Sequence, residues 1–536
     1  MTRKAVLIGL DGAAFAILDH LMAQGVMPFL NSFQDGGVRA ELRSVVPPLT
    51  PPAWTSLTTG RRPGHHGIFD FFQADSPGSR QVRLATSRDV RCATIWSIAN
   101  RQGMRTTVLN FPVTFPPPPL DGHVIAGWMP WRQLRLGCHP ADLYDRLKAL
   151  PGFDPRELAM DMELEARATE GCPEDEYAAW VELHTRRERH WLDVLRHLIQ
   201  TEPSDLTAIL FDGPDKIQHL CWRYLDPALW PAQPTALEQK VRERCLDYFR
   251  QLDQLLAEVV ALAGPEAVIV MASDHGFGPT TEILHINTWL ERAGYLTWSP
   301  QAAPDAYQPS ALGMGHLTRH THWIDWERTT AYAATPTSNG IHIVQARPDG
   351  VHGVPPDKYE GFRRELVHAL QRLVDPATGE PIVARVWTRE EAFAGPAMHL
   401  APDLTLALRD GGLVSILPSD SALQPRPLPA GAHRRTGIFL AKGPGIRRGM
   451  AVRELSILDV APTLLHSLGL AIPEDLEGRV ASAIFEPAYR TTHPVRIAAR
   501  SEARPDPALA PTGEPTYDEE AQAVMVARLR DLGYLE

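Results

Sequence analysis

Seven side chains in this sequence combine residue type and setting in a way that suits divalent cations and phosphate: Asp11, Thr50, Asp215, His219, Asp274, His275 and His433. Asp11 closes the apolar run Ala5-Val6-Leu7-Ile8-Gly9-Leu10, where it serves either as a helix cap or as a ligand. Asp274 and His275 follow a second apolar run that ends at Met271, and glycines stand at 276 and 278. A buried strand that ends in two adjacent ligand types is hard to explain as surface. Asp215 and His219 are four apart, so a helical turn puts carboxylate and imidazole on one face. Alone, that pair fits a surface contact as well as a metal. His433 precedes the apolar run Ile438-Phe439-Leu440-Ala441. Oxygen and nitrogen donors without a thiolate suit two zinc or manganese ions, each held by about three protein groups with one position open. Two such ions about 4 Å apart clamp the attacking and leaving oxygens of an in-line phosphoryl transfer.

Thr50 sits in Pro47-Pro48-Leu49-Thr50-Pro51-Pro52-Ala53-Trp54. Prolines on both sides disfavour regular helical hydrogen bonding and bias the residues before them toward extended conformations, which fixes the hydroxyl in a turn. Residues 53–59 read as a helix that stops at Gly60, which puts Thr50 just ahead of a helix N-terminus. Free backbone N–H groups and the helix dipole favour an anion there. The same stretch also reads as a plain helix cap with a proline-rich lead-in.

The elements that must position these groups follow an α/β pattern. Apolar strands are expected at residues 5–10, 105–109, 206–211, 266–271 and 437–441, with helices at 14–23, 93–101, 237–262 and 457–468. Unbroken apolar strands alternating with amphipathic helices make a mostly parallel central sheet covered on both faces, and ligands gather beyond the carboxyl ends of such strands. At 536 residues the chain is too long for one ordinary core. The expected division is a core over 1–290, an α+β insertion or cap over 291–424, the rest of the core over 425–486, and a tail with a helix over 487–536. His316, His320 and His322 in the insertion read as a surface loop in preference to a metal site.

A formal charge of -11 without any long basic run argues against nucleic acid. No segment approaches the roughly 18 apolar residues of a membrane span. Five widely spaced cysteines, Cys92, Cys138, Cys172, Cys221 and Cys245, read as reduced thiols, and the expected location is the cytoplasm.

The ordered set Asp11, Thr50, Asp215-x-x-x-His219, Asp274-His275 and His433 resembles the alkaline phosphatase superfamily, and within it the type I phosphodiesterase/nucleotide pyrophosphatase branch, closest to its bacterial phosphohydrolase/phosphomutase-like members. The resemblance covers about residues 4–115, 205–290 and 430–485, and is faint in the insertion. It implies an alkaline phosphatase-like fold, a small-molecule phosphate ester as substrate, and Thr50 as the nucleophile. It also implies one ion on Asp11, Asp274, His275 and the Thr50 oxygen, and a second on Asp215, His219 and His433. A phosphomutase or phosphotransferase on the same site, or a silent binding protein that keeps the fold, are the alternatives. Nucleotide pyrophosphatases of this branch carry an asparagine after a segment matching His66-Gly67-Ile68, to donate to a phosphate oxygen; here Phe71 stands at that place. Lys216, Arg61 and Arg434 are the candidate replacements.

Overall fold

The computed structural model describes residues 3–74, 82–160, 177–300, 321–346, 352–500 and 517–531. His316, His320 and Cys172 lie outside them, and His322 is exposed. The apolar runs form the centre of a nine-stranded sheet, in the order Met450–Ser456, Val38–Arg43, Thr436–Lys442, Ala267–Ala272, Lys4–Leu10, Leu206–Phe211, Thr106–Leu109, Gly122–Ile125 and Cys138–His139. Alternate residues of the first strand enter different cores. Val6, Ile8 and Leu10 pack with the helices Phe15–Ala23, Tyr177–Thr201 and Ala236–Ala263. Ala5 and Leu7 pack with Thr50–Thr59, Ile95–Arg101 and Val460–Ser467 on the other face. Burial on both faces is why these strands lack polar alternation.

The pairings from Ala267–Ala272 through Gly122–Ile125 are parallel, so Leu10, Phe211 and Ala272 end at one edge of the sheet. Thr436–Lys442 runs antiparallel to Ala267–Ala272, so it begins at the edge where its neighbours end. That reversal brings His433, which precedes its strand, to the same edge as Asp11 and Asp274, which follow theirs.

Several elements depart from the sequence expectation. The segment after His275 forms the strand Gly276–His285, which pairs antiparallel with Leu423–Arg434. Prolines at 425, 427 and 429 disguise the latter, since proline is tolerated only where no ladder N–H is needed, and this strand is an edge of its three-stranded sheet. The boundary expected between 424 and 425 therefore falls inside a strand, and that between 290 and 291 inside the helix Ile286–Arg292. The strands Val38–Arg43 and Met450–Ser456 went unread because half-exposed polar positions interrupt their apolar pattern. The tail is also tied down: Ile497–Ala498 pairs with Ile472–Pro473, and the final helix Glu519–Asp531 buries Ala521, Met525, Val526 and Leu529. No helix among the described residues is long and apolar enough to cross a membrane.

Candidate active site

Thr50 is the first residue of the helix Thr50–Thr59, not the residue ahead of it. The N-cap is Leu49, extended at φ -119 and ψ 139, and no side chain caps the helix. The capping role is thereby excluded for the Thr50 hydroxyl, which instead lies 3.3 Å from His275 Nε2. Pro51 and Pro52 follow at the start of the helix and have no N–H. The N–H of Thr50 makes no hydrogen bond among the described residues. It is the open donor of this helix end, so the anion-binding N-terminus is narrower than the sequence suggests.

Asp11 does not cap the next helix either, since Ala14 holds the N-cap place without a side-chain bond. Its Oδ2 accepts from Trp54 Nε1 at 3.2 Å, while Oδ1 is buried with no hydrogen bond. Asp274 repeats the pattern: Oδ1 accepts from the Gly12 N–H at 3.2 Å, and Oδ2 is left without a partner. Gly12 has φ +64, and a Cβ there would meet the Phe277 ring at 2.7 Å, so the turn that carries this N–H requires glycine. Asp215 lies in the first turn of the helix Gly213–Leu225 and His219 one turn on. Asp215 Oδ1 has no aligned hydrogen bond, yet lies 3.4 Å from His219 Nε2, 3.3 Å from His433 Nε2 and 3.8 Å from His275 Nε2. His219 Nε2 and His433 Nε2 face each other at 3.1 Å.

This arrangement fits cations. Three orphaned carboxylate oxygens and three imidazole Nε2 atoms converge in a buried space, where unpaired charge is costly without a counter-ion. The histidine tautomers agree with that use. His433 Nδ1–H donates to the Pro48 carbonyl at 2.8 Å, and His275 Nδ1–H to the Gly276 carbonyl at 3.2 Å, so each Nε2 presents a lone pair inward. The His275 and His433 rings stack at 3.6 Å and 22°. Two ligand groupings overlap at His275: Asp11, Asp274 and His275, and Asp215, His275 and His433. His275 Nε2 is 3.6 Å from Asp11 Oδ1 and 3.3 Å from Asp274 Oδ2, so it stands between the two sides of the site.

The electrostatics carry the same imprint. Burial, then the charges of Asp274 and Asp215, pushes the Asp11 carboxyl well above the ordinary carboxylate range; burial likewise raises Asp274. Burial would also raise Asp215, but His219 and His433 outweigh it and hold that carboxyl well below the usual range. Burial lowers His275 strongly, with His433 adding to the effect, and also lowers His433. His66, which follows the Thr50 helix, is a structural group. Burial takes it down to about 3, its Nε2 meets Ser56 Oγ at 2.8 Å, and its Nδ1 accepts from the Ile68 N–H at 3.2 Å.

None of the three candidate phosphate donors presents its charge to this site. Arg61 lies past the far end of a helix about 15 Å long and pairs with Asp475 at 2.7 Å. Arg434 is turned onto the carbonyls of His433 and Pro279. Lys216 pairs with Asp212 at 2.6 Å, both buried. Phe71 is buried against Trp128, ring centroids 5.2 Å apart.

Sequence reasoning missed the supports. Trp54 lies four residues after Thr50 and was there to be read as its companion. Glu188 gave no signal in a charged helical stretch, yet its Oε1 accepts from the Gly213 N–H at 2.7 Å and from the Tyr248 hydroxyl at 3.2 Å, at the head of the helix that bears Asp215 and His219.

No curated protein matches the sequence. The fold is shared with phosphonoacetate hydrolase from Sinorhizobium meliloti 1021 in complex with phosphonoformate, which is 18% identical over 87% of this chain and 95% of that chain, at a TM-score of 0.50. Murine ectonucleotide pyrophosphatase/phosphodiesterase 5 aligns at 14% identity over 88% of this chain and 96% of that chain, with a TM-score of 0.49. The family model for type I phosphodiesterase/nucleotide pyrophosphatase matches over residues 5–428, a span that ends five residues before His433. With most of its length matched in this way, the chain belongs to the type I phosphodiesterase/nucleotide pyrophosphatase family of the alkaline phosphatase superfamily, and it is a metal-dependent hydrolase of phosphoric esters.

Proposed function

We propose that the chain cleaves phosphate mono- or diesters through a phosphothreonine formed on Thr50, with two divalent ions bound. The observation that carries this reading is the Thr50 hydroxyl, uncommitted to a cap and 3.3 Å from His275 Nε2, at the convergence of Asp11, Asp215 and Asp274. Asp11, Asp274, His275 and the Thr50 oxygen would hold one ion; Asp215, His219 and His433 would hold the other. An all-oxygen and nitrogen donor set favours zinc, or manganese. When bound, such ions supply Lewis acidity that lowers the pKa of the Thr50 hydroxyl and neutralises phosphoryl charge.

Thr50 Oγ1 attacks phosphorus in line, so the Oγ1–P bond forms as the ester P–O bond breaks, and the alcohol leaves with the proton. Water then attacks the phosphothreonine, breaks its Oγ1–P bond and restores the Thr50 hydroxyl. The open Thr50 N–H is the backbone donor available to a non-bridging oxygen, in the role for which the branch uses the asparagine that Phe71 replaces. Pro48 and Gly276, through their carbonyls, keep the imidazoles of His433 and His275 oriented throughout.

A cytoplasmic setting is supported by the free thiols of Cys92, Cys138, Cys221 and Cys245. Turnover of 4-nitrophenyl phosphate against bis(4-nitrophenyl) phosphate, with elemental analysis of the metal-reconstituted protein, tests the reading. Two ions per chain and turnover of at least one ester are expected. One ion or none, or no turnover of either ester, would defeat it.

A further inference from the structure

Three arginines meet at the edge of the sheet that carries the seven groups, and they come from both parts of the chain. Arg43 ends the strand Val38–Arg43 and pairs with Thr436, and Arg435 precedes the strand Thr436–Lys442. Arg385 belongs to the insertion, on the strand Val383–Thr388. The insertion also supplies Trp387, whose buried ring lies 4.8 Å from the guanidinium carbon of Arg385 and 6.0 Å from that of Arg435. The two carbons are therefore no more than about 11 Å apart.

Backbone contacts tie this cluster to the candidate active site. Arg435 is two residues after His433, so their Cα atoms are at most about 7 Å apart. The Ser273 N–H donates to the Ile438 carbonyl at 3.1 Å, and a Cβ at Gly437 would lie 2.9 Å from the His275 carbonyl. Thr436–Lys442 thus starts beside Asp274 and His275. Arg43 lies one strand further out, about 10 Å from that backbone at the usual strand spacing. The stretch that leads to Thr50 is held by both histidine and arginine. The Ser44 N–H donates to the Arg435 carbonyl at 2.8 Å and Arg435 Nη2 to the Ser44 carbonyl at 3.1 Å, while the Pro48 carbonyl accepts from His433.

The cluster is short of counter-charge. Arg61, Arg363, Arg389 and Arg409 are mostly buried, and each has a close carboxylate, on Asp475, Glu390, Asp403 and Glu282. Arg435 is half-buried and has none among the described residues; its Nε is enclosed without a hydrogen bond. Arg385 makes no ion pair or hydrogen bond among the described residues, and Arg43 has the part-exposed Glu454 at 3.5 Å. Burial, with the charges of Arg43 and Arg385 added, lowers the Arg435 pKa, as expected of a guanidinium that lacks an anion. A guanidinium whose face rests on an aromatic ring keeps its N–H edge for a carboxylate or phosphate, which it meets by two parallel bonds.

We propose that Arg43, Arg385 and Arg435 form an oxyanion site beside the metal centre, which takes a second phosphate or carboxylate carried by the ester substrate. The proposal rests on the phosphoester reading for the first anion only, and binding decides it without turnover. The Thr50→Ala chain, reconstituted with zinc, is titrated calorimetrically with 6-hydroxyhexyl phosphate, 1,6-hexanediol bisphosphate and 6-(phosphonooxy)hexanoate, and with their homologues of three to eight carbons. For at least one length the second anion should tighten binding by about tenfold or more, a gain that shrinks with added salt. The larger of the two gains names the oxyanion. Adding Arg43→Gln and Arg385→Gln together should abolish the gain and leave the hydroxyalkyl phosphate unchanged. Both positions are exposed, so the fold is kept, and Arg385→Gln alone is the milder second variant. Arg372→Gln, at an exposed position after the helix Tyr359–Gln371, should keep the gain and so controls for net charge. No gain at any length, a gain that survives the paired substitution, or an equal loss in Arg372→Gln overturns the site. Failure of the wild-type chain to turn over 4-nitrophenyl phosphate would defeat the phosphoester reading and leave the arginine-dependent gain to decide this one.

Discussion

At the scale of single residues, the site depends on atoms deliberately left without partners. Oδ1 of Asp11, Oδ2 of Asp274 and Oδ1 of Asp215 are buried and unsatisfied, while the second oxygens of Asp11 and Asp274 are fixed by Trp54 and Gly12. Thr50 joins them through its hydroxyl alone, so on the proposed reading its replacement removes one ligand from a set that keeps the others. In Thr50→Ala, turnover of an activated aryl phosphate is expected to fall by about a thousandfold or more, the scale of losing a nucleophile. Metal content measured by elemental analysis should stay close to the wild type. Wild-type rates would move the nucleophile elsewhere. Asp70 makes a different prediction. Burial raises its carboxyl from 3.8 to about 6, against the opposing hydrogen bonds of Thr335 and Thr337. The folded chain therefore keeps a proton between about pH 4 and 6 that the unfolded chain has lost, and the stability from this group is full below about pH 4 and lost as the pH rises through about 6. At about 1.4 kcal/mol per pH unit this amounts to about 3 kcal/mol at most. The difference in melting temperature between wild type and Asp70→Asn should accordingly favour the wild type more at about pH 4.5 than at about pH 7. A difference independent of pH would exclude Asp70 as the source.

At the scale of elements, the helix Gly213–Leu225 delivers two of the seven groups, and its entry is fixed by close approach. The Gly213 N–H meets Glu188 from the helix Tyr177–Thr201, and a Cβ at Gly213 would collide with Tyr248 Oη and Glu188 Oε1. Gly213→Ala should thus displace the first turn that carries Asp215, with a cost of about 1–3 kcal/mol typical of overpacking. Loss of one bound ion, or a clear fall in its affinity by competition with a chelator, is expected before any loss of the overall fold. Equal metal affinity in the variant would show the helix entry to be tolerant. Only half of this element was legible. The i, i+4 spacing of Asp215 and His219 announces a shared face, but the partner helix that holds the turn is far away in sequence and leaves no local mark. The strand Leu423–Arg434 was illegible for the opposite reason, since its alternate prolines satisfy an edge position that the sequence does not reveal.

At the scale of the whole molecule, the insertion and the core are stitched together along the segment 63–74, at Gly64, Phe69 and Asp70. The core supplies chemistry, and selectivity must come from what lies over the strand ends. The ribbon of Gly276–His285 and Leu423–Arg434 carries His433 and cannot be cut. A deletion that replaces residues 294–412 by a short linker keeps that ribbon, and should largely spare hydrolysis of a small activated aryl phosphate. It should weaken discrimination among larger phosphate esters by more than about tenfold, or about 1.4 kcal/mol in the specificity term. A folded, metal-loaded deletion with an unchanged substrate ranking would reduce the insertion to a structural cover.

What the sequence determined by itself was the parallel centre of the sheet and the choice of seven candidate groups. Apolar runs buried on both faces leave an unmistakable pattern, and carboxylate and imidazole residues at their ends break it abruptly. Asp11, Asp274 and His275 could be read because each is attached to such an end. The tertiary structure alone decided how the seven meet. His433 reaches the others because Thr436–Lys442 runs against its neighbours, and His275 stands between two groupings where the sequence suggests two separate sets. Strand direction, register and the approach of Glu188 and Tyr248 to Gly213 are set by packing between distant segments, and no local pattern of residue types encodes a distance of that kind.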